Sequence, residues 1–163
     1  MHYQMNQDLL KNGNREQILA TVAKTFEERV PFNRNLGFEF ELPKDGTAKL
    51  SFQMHDDLVG NFLRGILHGG VISSSLDVAG GLVAFVALLD QNLVQSFDEG
   101  LERFSKMGTV DLRIDFLRPG LGDSFVATGS ILRAGRRIAV TRMELHNDSG
   151  TLIAAGTGTY STG

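Results

Sequence analysis

Between Val71 and Leu89 the chain carries one ionisable side chain, Asp77, and no proline. Val71, Ile72, Leu76, Val78, Ala79, Leu82, Val83, Phe85, Val86, Leu88 and Leu89 fall on nearly every side of a helix drawn through this run. A helix that is apolar all round is either a core helix or a membrane span. The run approaches spanning length, but Ser73, Ser74, Ser75, Gly80 and Gly81 interrupt it, and a central Asp is costly in lipid. A core helix is therefore expected, with no membrane insertion. Charged residues are almost never fully buried without a partner. The fold must supply Asp77 with a partner or put the carboxylate to use.

The chain around this run is long enough for one domain with a real core, at 163 residues, 42% hydrophobic and 21% charged. A net charge of −3 gives no electrostatic case for nucleic acid. Cysteine is absent, which excludes disulfides and thiolate metal sites. His2, His55 and His146 lie far apart with no metal-ligand spacing, so no metal is expected. Residues 1–14 are polar, punctuated by Asn12-Gly13-Asn14, and read as a flexible leader. They show no basic segment followed by an apolar one, so a cytoplasmic location is expected. Residues 15–163 read as a single domain.

Within that domain Ile18, Leu19, Val22, Ala23, Phe26 and Val30 keep helical spacing over residues 15–30, and Pro31 ends the run. Phe38, Phe40 and Leu42 alternate with Glu39 and Glu41 as in a half-buried strand. An Asp45-Gly46 turn follows, then a return strand through Ala48, Leu50 and Phe52. No period is visible from Met54 to Leu67. Asp90 to Phe104 reads as a long surface connection with a short helix near Phe97, rather than a lid. Four further alternating segments follow, running through Val110–Phe116, Phe125–Ile131, Ile138–Leu145 and Leu152–Tyr160. Turn-forming residues separate them, and three hairpin connections predict an antiparallel meander. The expected class is α+β: a curved antiparallel sheet wrapped around one central helix, with an extra N-terminal helix.

At this point the chain resembles a known family. The pattern Asn61…His68-Gly69-Gly70…Asp77, the strand from Gly108 to Pro119, the Gly135-Arg136-Arg137 turn and the segment Ala154–Thr159 are similar to those of the hotdog-fold acyl-CoA thioesterases, specifically the phenylacetyl-CoA thioesterase-like (PaaI-type) group. The likeness covers about Phe32 to Tyr160, and the organisation resembles a branch acting on medium- to long-chain acyl-CoA. The step from Asn61 to His68 is one residue longer than in typical members, and the 90–104 insertion is longer too. The resemblance implies a hotdog fold and hydrolysis of medium- to long-chain or aryl acyl-CoA. It also implies no cofactor beyond the CoA of the substrate, and a homodimer with shared active sites assembling as a dimer of dimers.

The residues suit that chemistry. Amides at a helix N-terminus point outward unpaired with partial positive charge, so the Gly69 amide is the preferred donor for polarising a thioester carbonyl. His68 adds a hydrogen bond or holds the loop. Asp77 acts as general base or as carboxylate nucleophile, and sequence does not choose between them. The resemblance puts Thr109 where related enzymes carry a Ser or Thr near the attacking water, so it either orients that water or is a strand hydroxyl satisfied locally. Asn61 orients water or loop, or is simply a turn residue. Gly70, Arg133, Gly135, Arg136 and Arg137 are candidates for holding coenzyme A, since guanidinium forks suit phosphate; a plain solvated turn is the alternative. Gly69 and Asp77 lie eight residues, about 12 Å, apart on one helix, whereas reacting groups must approach within about 3–3.5 Å. The expectation is a site shared across a two-fold dimer. Competing readings are a hotdog enoyl-CoA hydratase or dehydratase, a non-catalytic acyl-CoA-binding protein, and a purely structural dimer module.

Overall fold

The structure is a computed structural model that describes residues 15–43, 45–90 and 97–162. The leader expected at residues 1–14 and the first part of the 90–104 connection lie outside the described residues. Helix α1 spans Arg15–Arg29. Pro31 was expected only to terminate it, but it also opens a second helix, α2, over Pro31–Asn35. Val30 is extended (φ −92°, ψ 107°), as a residue before proline should be, and the proline then occupies a first-turn position that needs no N–H. Strands β1 (Glu39–Glu41) and β2 (Ala48–Gln53) pair antiparallel with Phe40 opposite Leu50.

The stretch without period, Met54 to Leu67, is more ordered than its pattern predicts. It holds a 3-10 turn at Asp56–Leu58 and a small hairpin of β3 (Val59–Asn61) and β4 (Ile66–Leu67). Strands this short are below the length at which alternation is visible. Helix α3 runs Gly69–Asp90 and α4 runs Phe97–Lys106, followed by β5 (Gly108–Phe116), β6 (Ser124–Ala134), β7 (Ile138–Asn147) and β8 (Leu152–Ser161).

Six strands form one sheet in the order β1-β2-β6-β7-β8-β5. The expected meander holds for β6, β7 and β8. The expectation of a hairpin between β5 and β6 is corrected, because β5 pairs with β8 at the far edge, Ile114 opposite Gly156. The turn after Phe116 is thus a crossover. It is pinned on its way: the amides of Leu117 and Arg118 donate to the Ile153 carbonyl, and Leu67 N–H donates to the Gly120 carbonyl at 2.9 Å. Such long-range pairings leave no trace in a local pattern.

Helix α3 lies across the concave face of this sheet. Leu76, Ala79, Leu82 and Val83 have no exposed surface; Leu76 and Ala79 pack with Leu50, Phe52, Ala127, Met143 and Leu145, and Leu82 and Val83 with Val22, Phe26 and Ala48. Each fully buried side chain of this size contributes about 1.5–3 kcal/mol. The helix is long and apolar enough to cross a membrane, yet 72% of its most apolar window is buried inside the fold, so it is the core helix. A Cβ on Gly129 would lie 2.7 Å from the Ala79 carbonyl, so glycine at that point of β6 lets sheet and helix backbones touch.

Candidate active site

Asp77 sits mid-way along α3, half-buried, on the side facing the first residues of β5 and the last of β8. Its Oδ1 accepts from the Thr109 hydroxyl at 3.0 Å and from the Tyr160 hydroxyl at 3.1 Å. The Tyr160 contact is forked, since the same hydroxyl lies 3.0 Å from the Asp77 carbonyl. Among the described residues no protein donor reaches Oδ2, which leaves that oxygen for water or a ligand. Tyr160 is 2% exposed, and burial first, then the charge of Asp77, push its phenol above the usual range. It therefore remains a donor at any ordinary pH.

Sequence reasoning passed over Tyr160. The signal for it was Gly80 and Gly81, three and four residues beyond Asp77 and so on the same helix face. A Cβ on Gly80 would overlap the Tyr160 hydroxyl and lie 2.9 Å from both Met143 Sδ and Thr141 Oγ1. The notch in the helix is filled by the tyrosine that holds the acid.

Asp77 opens onto a cavity of about 210 Å³ whose walls include Val78, Gly81 and Leu82 from α3, Phe26 and Val30 from the N-terminal helix region, and Phe104 and Met107. The insertion helix α4 was expected to be a surface segment. It does lie at the surface, with Phe104 37% exposed, but the Phe104 ring also meets Phe26 and Phe85 edge-on, with ring centroids 5.0 and 5.6 Å apart, and makes part of the cavity wall. Asn33 of α2 also lines the cavity. Its amide donates to the Phe26 carbonyl at 3.0 Å, and its Oδ1 is buried with no hydrogen-bond partner among the described residues.

The other end of α3 is built differently. His68 stands immediately before the helix, and its Nδ1 accepts from the Gly70 amide at 2.8 Å, the geometry of an N-cap. An accepting Nδ1 assigns the neutral ring's proton to Nε2. The Gly70 amide is thereby occupied. The side-chain space at Gly70 is occupied too, since a Cβ there would lie 2.8 Å from that nitrogen. Gly69, at the first helical position, is exposed, and its N–H has no intrahelical partner. The Phe116 ring lies alongside, 3.6 Å from where a Gly69 Cβ would be.

The remaining candidates fall elsewhere. Asn61 closes the β3–β4 turn, its Oδ1 accepting from the Leu63 amide at 3.1 Å. Ser73, Ser74 and Ser75 donate to carbonyls of their own helix. Arg133, Arg136 and Arg137 are exposed around the β6–β7 turn, where Gly135 N–H closes onto the Ile138 carbonyl. That turn shares a sheet end with Asp77's partners: Ala134 pairs with Ala139, Ala139 with Tyr160, and Tyr160 with Thr109. Thr109 and the arginine turn are three strand spacings, or about 14 Å, apart. Arg118 is engaged structurally, donating to the Leu152 carbonyl at 2.9 Å. Within the protomer, then, Asp77, Thr109 and Tyr160 meet, while His68 and Gly69 stand apart from them.

The model of the family described as the thioesterase superfamily matches residues 64–154. The medium/long-chain acyl-CoA thioesterase YigI of Escherichia coli strain K12 is 49% identical over 148 residues, covering 91% of this chain and 96% of its own. A crystal structure of a Shewanella oneidensis protein related to the thioesterase superfamily is 44% identical. It superposes with a TM-score of 0.85 and covers 90% of this chain and 96% of that one. The Escherichia coli PaaI protein from the phenylacetic acid degradation operon, 19% identical, shares the fold at a TM-score of 0.72 over 91% of this chain and 96% of that one.

Proposed function

Because this chain belongs to the thioesterase superfamily, and is by that membership a thioester hydrolase with the hotdog fold, we propose that it cleaves medium- to long-chain acyl-CoA to the free acid and coenzyme A, using Asp77. The observation that carries this reading is the carboxylate itself. Oδ1 is held by two hydroxyls, Oδ2 has no donor among the described residues, and a mostly apolar cavity begins beside it. The name of the 49% identical relative supports the substrate class.

In this reading the acyl chain enters the cavity and the thioester carbonyl meets a Gly69 amide at a helix N-terminus. As water attacks, its proton passes to Asp77 Oδ2 and the carbonyl oxygen takes up negative charge, which the amide and helix dipole stabilise. Collapse of the intermediate breaks the C–S bond, and the CoA thiolate leaves and takes the proton. Attack by Oδ2 itself would use the same geometry. Thr109 and Tyr160 fix the carboxylate, and His68 fixes the turn that presents Gly69. The three arginines at the β6–β7 turn are suited to the CoA phosphates.

The donor and the acid come from two protomers. Strand β5 is an edge, nine residues long, with Val110 61% and Phe116 57% exposed. Such an edge is a template for pairing. Antiparallel pairing of two copies about the middle of β5, near Leu112 and Arg113, sets Thr109 beside the partner's Phe116. Asp77 contacts Thr109 and Gly69 abuts Phe116. The same two-fold therefore carries one protomer's Gly69 amide toward the partner's Asp77 and removes the 12 Å mismatch.

The test is thiol release from acyl-CoAs of graded chain length by the wild type, Asp77→Ala and Asp77→Asn, with sedimentation to establish the assembly. Release that peaks at medium or long chains and vanishes in both variants is expected. Wild-type release that persists without Asp77, or a fully active monomer, would overturn the reading.

A further inference from the structure

Among the described residues the two most exposed large apolar side chains are neighbours, Phe62 at 85% and Leu63 at 82%. Single exposed apolar residues need no explanation; two at one built tip do. The tip is tightly made. Arg64 N–H donates to the Asn61 carbonyl and Leu63 N–H to Asn61 Oδ1, each at 3.1 Å, and Gly65 takes φ +58° to close the turn. Its base is joined to the start of α3. His68 N–H donates to the Leu58 carbonyl at 2.8 Å, and a Cβ on Gly60 would lie 2.6 Å from the His68 Cα. The hairpin and the Gly69 amide therefore form one rigid unit. Mid-way along α3 the cavity beside Asp77 has mostly apolar walls and opens to the surface.

Building on the acyl-CoA reading and the two-fold pairing above, we propose that Phe62 and Leu63 of each protomer close the acyl cavity of its partner. They supply the wall against which the distal acyl chain packs. The occupant is a second copy because the Gly69 amide must reach the partner's Asp77, and the hairpin fixed to it arrives at that same cavity mouth. The reach agrees. The tip stands two residues beyond Gly60, about 7 Å at strand rise. The cavity floor from Asp77 to Leu82 spans five residues, about 7.5 Å along the helix. Chain-length preference is thus set in trans by the β3–β4 tip.

The experiment compares kcat/KM for decanoyl-CoA and butyryl-CoA in the full-length protein. Phe62→Ala/Leu63→Ala is expected to lower the decanoyl-to-butyryl ratio about tenfold or more, as loss of large apolar contacts should. Phe62→Trp, which adds bulk, is expected to shift the preferred chain shorter, which keeps the test alive should the double variant assemble poorly. Mixed dimers then separate trans from cis. A protomer with the double substitution is paired, through two different tags, with one carrying Asp77→Ala. In trans, the live acid faces a wild-type tip and the ratio returns to that of the wild type. A ratio that stays low in the mixed dimer, or one that neither tip variant moves, would overturn the proposal. Wild-type protein releasing no thiol from any acyl-CoA would instead fail the parent reading, and this one with it.

Discussion

Replacing Gly80 by alanine sets two effects of known size against each other. In a helix interior alanine is favoured over glycine by about 1 kcal/mol, so propensity alone makes Gly80→Ala stabilising. The space says otherwise. The new methyl would overlap the Tyr160 hydroxyl and lie 2.9 Å from Met143 Sδ and Thr141 Oγ1, and Thr141 and Met143 are completely buried. Overpacking of this kind costs about 1–3 kcal/mol. Displacing Tyr160 also forfeits its hydrogen bond to the Asp77 carboxylate, worth about 1.5–3 kcal/mol. Packing wins, with a net loss of about 1.5–5 kcal/mol and a melting point lowered by about 3–20 °C for a chain of this size. Thiol release should fall with it, because the acid loses one of the two hydroxyls that hold it. Gly81 is the internal control. A Cβ there meets only the Tyr160 ring, at 3.5 and 3.8 Å, which is ordinary contact. Gly81→Ala should gain about 1 kcal/mol and raise the melting point by about 2–4 °C. Thermal denaturation of both variants at equal protein concentration decides the matter. Gly80→Ala melting at or above the wild type would refute the packing argument.

Four further outcomes are expected. Tyr160→Phe should lower kcat/KM about ten- to a hundredfold, read by thiol release, because a hydrogen bond to a charged group is lost. The same variant tests a pH effect. The fold holds the phenol proton above 10.0, where the unfolded chain begins to release it, so the stabilisation is complete below that pH and is lost as pH rises through and beyond it. Melting points taken from about pH 9 to about pH 11 should fall less steeply in Tyr160→Phe than in the wild type. His68→Ala removes the cap on Gly70 and should lower stability by about 1 kcal/mol in chemical denaturation, with reduced thiol release as the Gly69 turn loosens. Arg133→Ala/Arg136→Ala/Arg137→Ala should raise KM for acyl-CoA about tenfold and leave KM for the matching acyl-pantetheine, which lacks the nucleotide phosphates, unmoved.

What could be read from the sequence follows the range of the forces involved. The central helix was legible because its apolar run is local, and Asp77 stood out as the one charge between Val71 and Leu89. Thr109 beside Asp77 was reached only through the family resemblance, since a gap of 32 residues carries no local signal. The edge position of β5 was missed, because the choice between pairing with β6 and with β8 is made by the crossover clamped at Ile153 and Gly120. Pro31 was read as a stop and proved to be a stop and a start, since the same fixed φ that ends one helix suits the first turn of the next. Tyr160 looked like any residue of an amphipathic strand. Its importance lies in the notch at Gly80, a complementarity between elements 80 residues apart in the chain.

A carboxylate free in water has two oxygens in equivalent surroundings, and Asp77 does not. With both hydroxyl donors gathered on Oδ1, a half-turn about the Cβ–Cγ bond would break two contacts and remake them on an oxygen that starts with none. In the proposed reaction Oδ2 is the oxygen presented to water, and isotope tracing separates a base from a nucleophile. In a single turnover in water enriched in oxygen-18, a base leaves the aspartate unlabelled and sends the label to the released acid. A nucleophile whose acyl-aspartyl anhydride is opened by water at the aspartate carboxyl carbon reverses this: the Cγ–O bond breaks, the first acid carries away an aspartate oxygen, and the label stays behind on the protein.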